Sequence, residues 1–137
     1  MSALVLAILL GRDPVLVNMV WQSFPADRTL AVALVEYESG FDPDSWCYEY
    51  DSAGKVIGTS YGLYRLFSLY HPQYRDNLPR HIAYGAGFLL CLLLTYRRAG
   101  DAAVLFALSH YNAGKPWSKR GLAYAQAVLN LRGRLAR

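Results

Sequence analysis

Thr29-Leu-Ala-Val-Ala-Leu-Val-Glu-Tyr-Glu-Ser39, followed by Gly40-Phe41-Asp42-Pro43, is the stretch that decides the fold. Leu30 to Val35 is apolar on every side, the pattern of a helix buried in the middle of a domain. Gly40 and Pro43 stop it. The helix therefore delivers two carboxylates, Glu36 and Glu38, to its own C-terminal end. Burial and the negative pole of the helix dipole both disfavour an ionised carboxylate there, so a pKa should rise. Two positions along a helix is about 200° of rotation, so only one of the pair faces a given side. Glu38 lies beside the loop, within reach of a substrate. A carboxylic acid kept protonated near neutral pH is what a general acid requires. The plain alternative is a pair of solvated helix-end carboxylates.

The composition around this stretch bounds the rest. At 137 residues the chain reads as a single domain, 1–137. With 54% hydrophobic and 18% charged residues it has the means to build a core and does not read as disordered. A net charge of +4 suits an anionic partner such as cell wall, nucleic acid or a membrane surface, or else a solvated basic face. Two cysteines, Cys47 and Cys91, indicate no disulfide framework, and Cys91 within Phe88–Leu94 reads as a buried thiol. The apolar start, Met1 to Arg12, lacks the basic residue and cleavage site of a signal peptide. The apolar runs 3–10 and 82–94 are too short to span a bilayer, so no stable membrane insertion is expected.

Outward from the central helix, residues 2–10 read as a short helix ended by Gly11. Asp13-Pro14 starts a second, to about Gln22. Past Gly40 the texture changes. Cys47–Tyr50 and Lys55–Ile57 flank Asp51-Ser-Ala-Gly54, which predicts a small β-hairpin with a four-residue turn. Residues 62–69 read as a short helix and 71–79 as a loop. Helices follow over 81–98, over 102–110 with Asp101 as cap, and over about 121–132. The expected class is mainly α with one small hairpin, which would wall a cleft beside Glu38.

Three segments stand in order: Glu38-Ser39-Gly40-Phe41-Asp42-Pro43, Gly62-Leu63-Tyr64-Arg65, and His110-Tyr111-Asn112-Ala113-Gly114. Together they resemble the lytic transglycosylases of the soluble type, which share the lysozyme-like (goose-type) fold. That family has a helix ending in Glu-Ser before an Asn-Pro turn, then Gly-Leu-Met-Gln, then Ala-Tyr-Asn-Ala-Gly. A late helix adds a tyrosine, matched by Tyr124 in Gly121–Leu129. The resemblance covers roughly residues 14–131 and selects Glu38 over Glu36. It departs from the pattern at Tyr64 for Met, at Arg65 for Gln, and at Cys47, where many members have Ser or Asn. Arginine donates hydrogen bonds but cannot accept them.

The resemblance implies cleavage of the β-1,4 bond between N-acetylmuramic acid and N-acetylglucosamine in peptidoglycan, with one carboxylate and no cofactor or metal. Glu38 protonates the leaving oxygen. It then takes the proton of the muramic C6 hydroxyl, which closes a 1,6-anhydro ring. Expected substrate contacts are Ser39, Cys47, Tyr50, Tyr61, Tyr64, Arg65, Tyr111, Asn112 and Tyr124. Rings in loops stack on sugar faces; Tyr48 and Trp117 join them on this ground, whereas Trp21, Phe88 and Phe106 read as core and Trp46 as either. Lys115, Lys119 and Arg120 offer charges to muramyl or peptide carboxylates, or form a solvated loop. His71, His81 and His110 lack metal-ligand spacing.

Most glycosidases use two carboxylates. Asp42, Asp44, Glu49 and Asp51 are the candidates. Asp42 and Asp51 read as turn residues, and a hydrolytic muramidase follows if Glu49 or Asp51 faces the cleft. A non-catalytic wall-binding protein of the same fold is a further alternative. A nucleic-acid partner is not expected, because the basic residues are dispersed. The expected setting is the bacterial cell wall, reached from a phage or through the periplasm, by a monomer.

Overall fold

The computed structural model describes residues 1–137. Its six α-helices surround one hydrophobic core, and a small antiparallel sheet stands to one side. Helix α1 (Ala3–Leu10) is capped by Ser2 and closed by Gly11 in the left-handed region. Helix α2 (Pro14–Ser23) starts on Asp13, whose carboxylate accepts the Val15 N–H at 2.8 Å.

Helix α3 (Arg28–Ser39) is the central one. Asp27 caps it, with Oδ1 accepting from Leu30 N–H at 3.0 Å. The other Asp27 oxygen meets Arg132 at 2.5 Å. Leu30, Ala31, Val32, Ala33, Leu34 and Val35 have no exposed surface. The all-round apolar run is thus covered on every face, with α2 and α6 packed against it. Gly40 and Phe41 both have positive φ, 60° each. This pair ends the helix and turns the chain sharply, with Phe41 buried as the pivot.

The predicted hairpin is present, as β1 (Trp46–Tyr50) and β2 (Val56–Tyr61). Asp51 builds its turn by accepting the N–H groups of Ala53 and Lys55. Residues 62–69 do not form the expected helix. They make a tight turn and then a third strand, β3 (Leu66–Phe67), paired antiparallel to β2. The reason lies in the anchors. Gly62 (φ 84°) rests on the His81 ring, and Leu63 and Tyr64 plunge into the core with no exposed surface. The Tyr64 ring fills a notch over Gly85 of helix α4 (Leu78–Thr95), where any Cβ would overlap it. His81 Nε2 accepts the Tyr64 N–H at 3.0 Å. Those side-chain anchors outweigh the helical propensity of the segment.

Helix α4 begins three residues before the expected His81, because Asn77 caps it and Pro79 fits its first turn. Cys91 is exposed on its outer face with Leu90 and Leu94, so the expectation of a buried thiol is corrected. A 3₁₀ segment (Arg97–Ala102) absorbs Asp101, which therefore does not cap α5 (Ala103–Ala113). Helix α6 (Lys119–Leu135) starts on Ser118 and packs against both α5 and α3. That packing brings the last helix over the end of α3.

Candidate active site

Glu36 and Glu38 separate as the helix geometry requires. Glu36 faces the α1–α2 corner and takes a two-pronged ion pair from Arg12, at 2.9 and 3.0 Å. Glu38 points the other way, into a cleft between the sheet, α5 and α6. Its Oε1 accepts the hydroxyl proton of Tyr124. Tyr37 packs edge-on against that ring, with centroids 5.2 Å apart.

Loss of solvent is the largest influence on the Glu38 carboxyl. It pushes the pKa up to about 7; the Tyr124 bond and the Arg65 charge pull it down, and the Glu49 charge pushes it up. The acid therefore keeps its proton to a higher pH than an exposed glutamate does. Burial beside this charge holds the Tyr111 and Tyr124 hydroxyls well above the usual tyrosine range, so both stay neutral donors.

Two cavities meet at Glu38. The larger, about 750 Å³, lies between the inner face of the sheet and α5; the smaller, about 440 Å³, lies toward α6. Glu38, Arg65, Asn112 and Arg120 line both.

The sheet supplies its inner face to the larger cavity. Strand alternation points Cys47 and Glu49 inward and Trp46 and Tyr48 outward. The pairing register shifts between Glu49 and Tyr50, which lets Tyr50 reach the cleft rim as well. Glu49 Oε1 accepts from Ser60 Oγ at 2.7 Å and from Cys47 Sγ at 3.6 Å. The thiol pKa is raised, first by burial and then by the Glu49 charge, so Cys47 stays a neutral donor.

The opposite wall is aromatic. Phe88 packs between His71 and Tyr111, with centroids 4.4 and 5.4 Å away. The Tyr111 hydroxyl donates to the Tyr64 carbonyl at 2.5 Å. The same bond ties α5 to the turn that carries Arg65.

Of the residues expected at the site, Glu38, Cys47, Tyr50, Arg65, Tyr111, Asn112 and Tyr124 are brought together. Three are not. Tyr64 is a core side chain, and only its backbone serves the site. Tyr61 stands on the outer side of the sheet, under the Arg75 guanidinium at 4.7 Å. Ser39 donates back to the Val35 carbonyl at 3.2 Å and lines neither cavity. Tyr48 and Trp117 also lie outside the linings, as do Lys115 and Lys119, whereas Arg120 is inside. Asp51 is spent on its turn, and Asp42 likewise accepts the Asp44 N–H at 2.9 Å. Phe88 packs against the core as expected, and it also lines the larger cavity. Its helical spacing could not distinguish a residue facing the core from one facing a cleft wall.

No protein-family model, curated protein or solved structure matches the chain.

Proposed function

We propose that the protein is a peptidoglycan-cleaving enzyme of lysozyme-like fold, a lytic transglycosylase with Glu38 as its one essential acid. The observation that carries this reading is the Glu38 carboxyl. It is half-buried, held by Tyr124, and its pKa is pushed up to about 7 at the meeting point of two cavities. A binding module gains nothing from such a group, whereas a general acid needs it.

In this reading the glycan strand lies along the trough, and the scissile oxygen sits against Glu38. The protonated carboxyl donates to that oxygen as the C–O bond breaks. The carboxylate then removes the C6 hydroxyl proton of the muramyl unit, whose oxygen closes on the anomeric carbon. Tyr124 keeps the carboxyl aimed and stabilises its charged form between the two transfers. The enzyme acts at the bacterial wall and needs no cofactor.

Glu49 favours a second reading. It lines the same cavity, and one of its oxygens has no protein donor. A carboxylate so placed would activate water, and the product would be a hydrated reducing end.

Digestion of purified peptidoglycan, followed by mass spectrometry of the muropeptides, separates the readings. Products one water lighter than hydrolytic ones, lost in Glu38→Gln and retained in Glu49→Gln, are expected. Hydrated ends lost in both variants would move the assignment to a muramidase. No release by wild type from several wall types would remove the enzymatic reading.

A further inference from the structure

Two arginines, Arg65 and Arg120, line the cleft beside Glu38 and Glu49, and neither is held in an ion pair. The chain's ion pairs, Arg12–Glu36 and Arg132–Asp27, leave Arg65 and Arg120 without a carboxylate partner. Both line the two cavities where they meet. Arg65 is half-buried, and its Nε donates to Ser45 Oγ at 2.9 Å, with Ser45 itself buried. That bond holds the guanidinium, whose terminal nitrogens take no protein acceptor.

The backbone is arranged for the same end. Arg65 has φ 46°, a left-handed conformation that only one other non-glycine residue, Phe41, adopts. Such strain persists where the surroundings impose it. Here Leu63 and Tyr64 are locked in the core and Tyr111 grips the Tyr64 carbonyl, so the next residue is thrown into the cleft. Arg120 enters from the first turn of α6, which has no acidic residue to offset it or the helix dipole. Asn112 lines both cavities with them; its backbone carbonyl accepts from Arg120 at 3.4 Å, and its side-chain oxygen is buried without a partner. A ligand that brings an anion for the arginines and an N–H or O–H donor beside it would satisfy all three.

We propose that Arg65 and Arg120 form a carboxylate-reading subsite, so that the sugar unit held next to Glu38 must carry an acidic substituent. The proposal rests on the cleft being a glycan site and names what that glycan must bear. In peptidoglycan the carboxylate has two sources, the lactyl ether of the muramyl unit and the stem peptide. A neutral chitin-like strand lacks both. The planar guanidinium fork suits a carboxylate better than an ammonium does.

The test uses soluble glycan strands in two forms, stripped of peptide and with stems intact, each with free or methyl-esterified carboxylates. Binding is measured calorimetrically with the full-length Glu38→Gln protein, and kcat and KM with the wild type. Esterification should weaken binding and raise KM about tenfold, the scale of one charge-assisted contact. The discrimination should shrink in Arg120→Gln and in Arg65→Gln, and Arg65→Lys should recover only part of it. An effect confined to stripped strands assigns the lactyl group; one confined to intact strands assigns the stem. Equal binding of free and esterified strands, or discrimination that survives both arginine substitutions, would overturn the subsite. Discrimination in binding with no cleavage by wild type would keep the subsite and remove the enzyme. Arg120 is exposed, so its variant should fold whatever becomes of Arg65 variants.

Discussion

The hydroxyl of Tyr124, in the last helix, donates to the carboxylate of Glu38, at the end of the central one. This bond favours the ionised acid, against the burial that opposes it. Removing it in Tyr124→Phe should raise the Glu38 pKa above its value of about 7. The limb of the pH–rate profile that reports loss of the acid should move to higher pH, and the maximal rate should fall about 10- to 100-fold through lost aim. A profile that moves to lower pH would contradict this geometry.

Glu38 also carries a stability cost with a definite sign. Its folded pKa is raised from 4.5 to about 7. The protonated form therefore fits the fold best, and that advantage is complete below pH 4.5 and lost as pH rises through 7. Glu38→Gln removes the ionisation. It should raise Tm relative to wild type more at pH 8 than at pH 5, while abolishing activity at both. Parallel Tm curves would show that the acid is not desolvated in solution.

The histidines work in the opposite direction. Burial lowers His81 from 6.5 to about 4, and lowers His71 and His110 as well. The unfolded chain takes up protons near pH 6.5 that the fold refuses. Stability should decline as pH falls from 6.5 toward 4, mostly through His81, whose Nε2 must accept from Tyr64. Thermal melts of wild type and His81→Gln across this range should differ in slope, the variant being flatter.

Two glycines of α4 offer a matched pair. A Cβ at Gly85 would overlap the Tyr64 ring, whereas one at Gly87 meets nothing within 4 Å. Gly85→Ala should cost about 1–3 kcal/mol by overpacking. Gly87→Ala should gain about 0.5–1 kcal/mol from helix propensity. Urea titration of both would check the notch, and Gly85→Ala should weaken activity too, since Tyr64 positions Arg65.

Local patterns carried much of this structure. The buried run Leu30–Val35, the Asp13-Pro14 start, the opposite facing of Glu36 and Glu38, and the Asp51 turn all follow from short-range rules that nothing distant overrides. Residues 62–69 failed because their conformation is set by partners far along the chain, His81, Gly85 and Tyr111. Tyr64 was misplaced for the same reason. A tyrosine in a loop reads as a surface ring, and the notch that swallows it lies 21 positions later at Gly85. Cys91 failed because an apolar helix one-third buried looks, in sequence, like one buried throughout.

The bridge between α3 and α6 has a bearing on how the molecule comes to life. Glu38 meets Tyr124 across 86 residues, and Asp27 meets Arg132 across 105. Contacts of such long sequence separation carry a large loop-closure cost. A ribosome releases the acid and the sheet well before it releases the helix that aims the acid. Until α6 docks, Glu38 lacks its tyrosine and the smaller half of the trough is missing its wall. The acid is therefore complete only once the chain has closed on itself, and a fold loosened at α6 would keep its carboxylate but lose its aim.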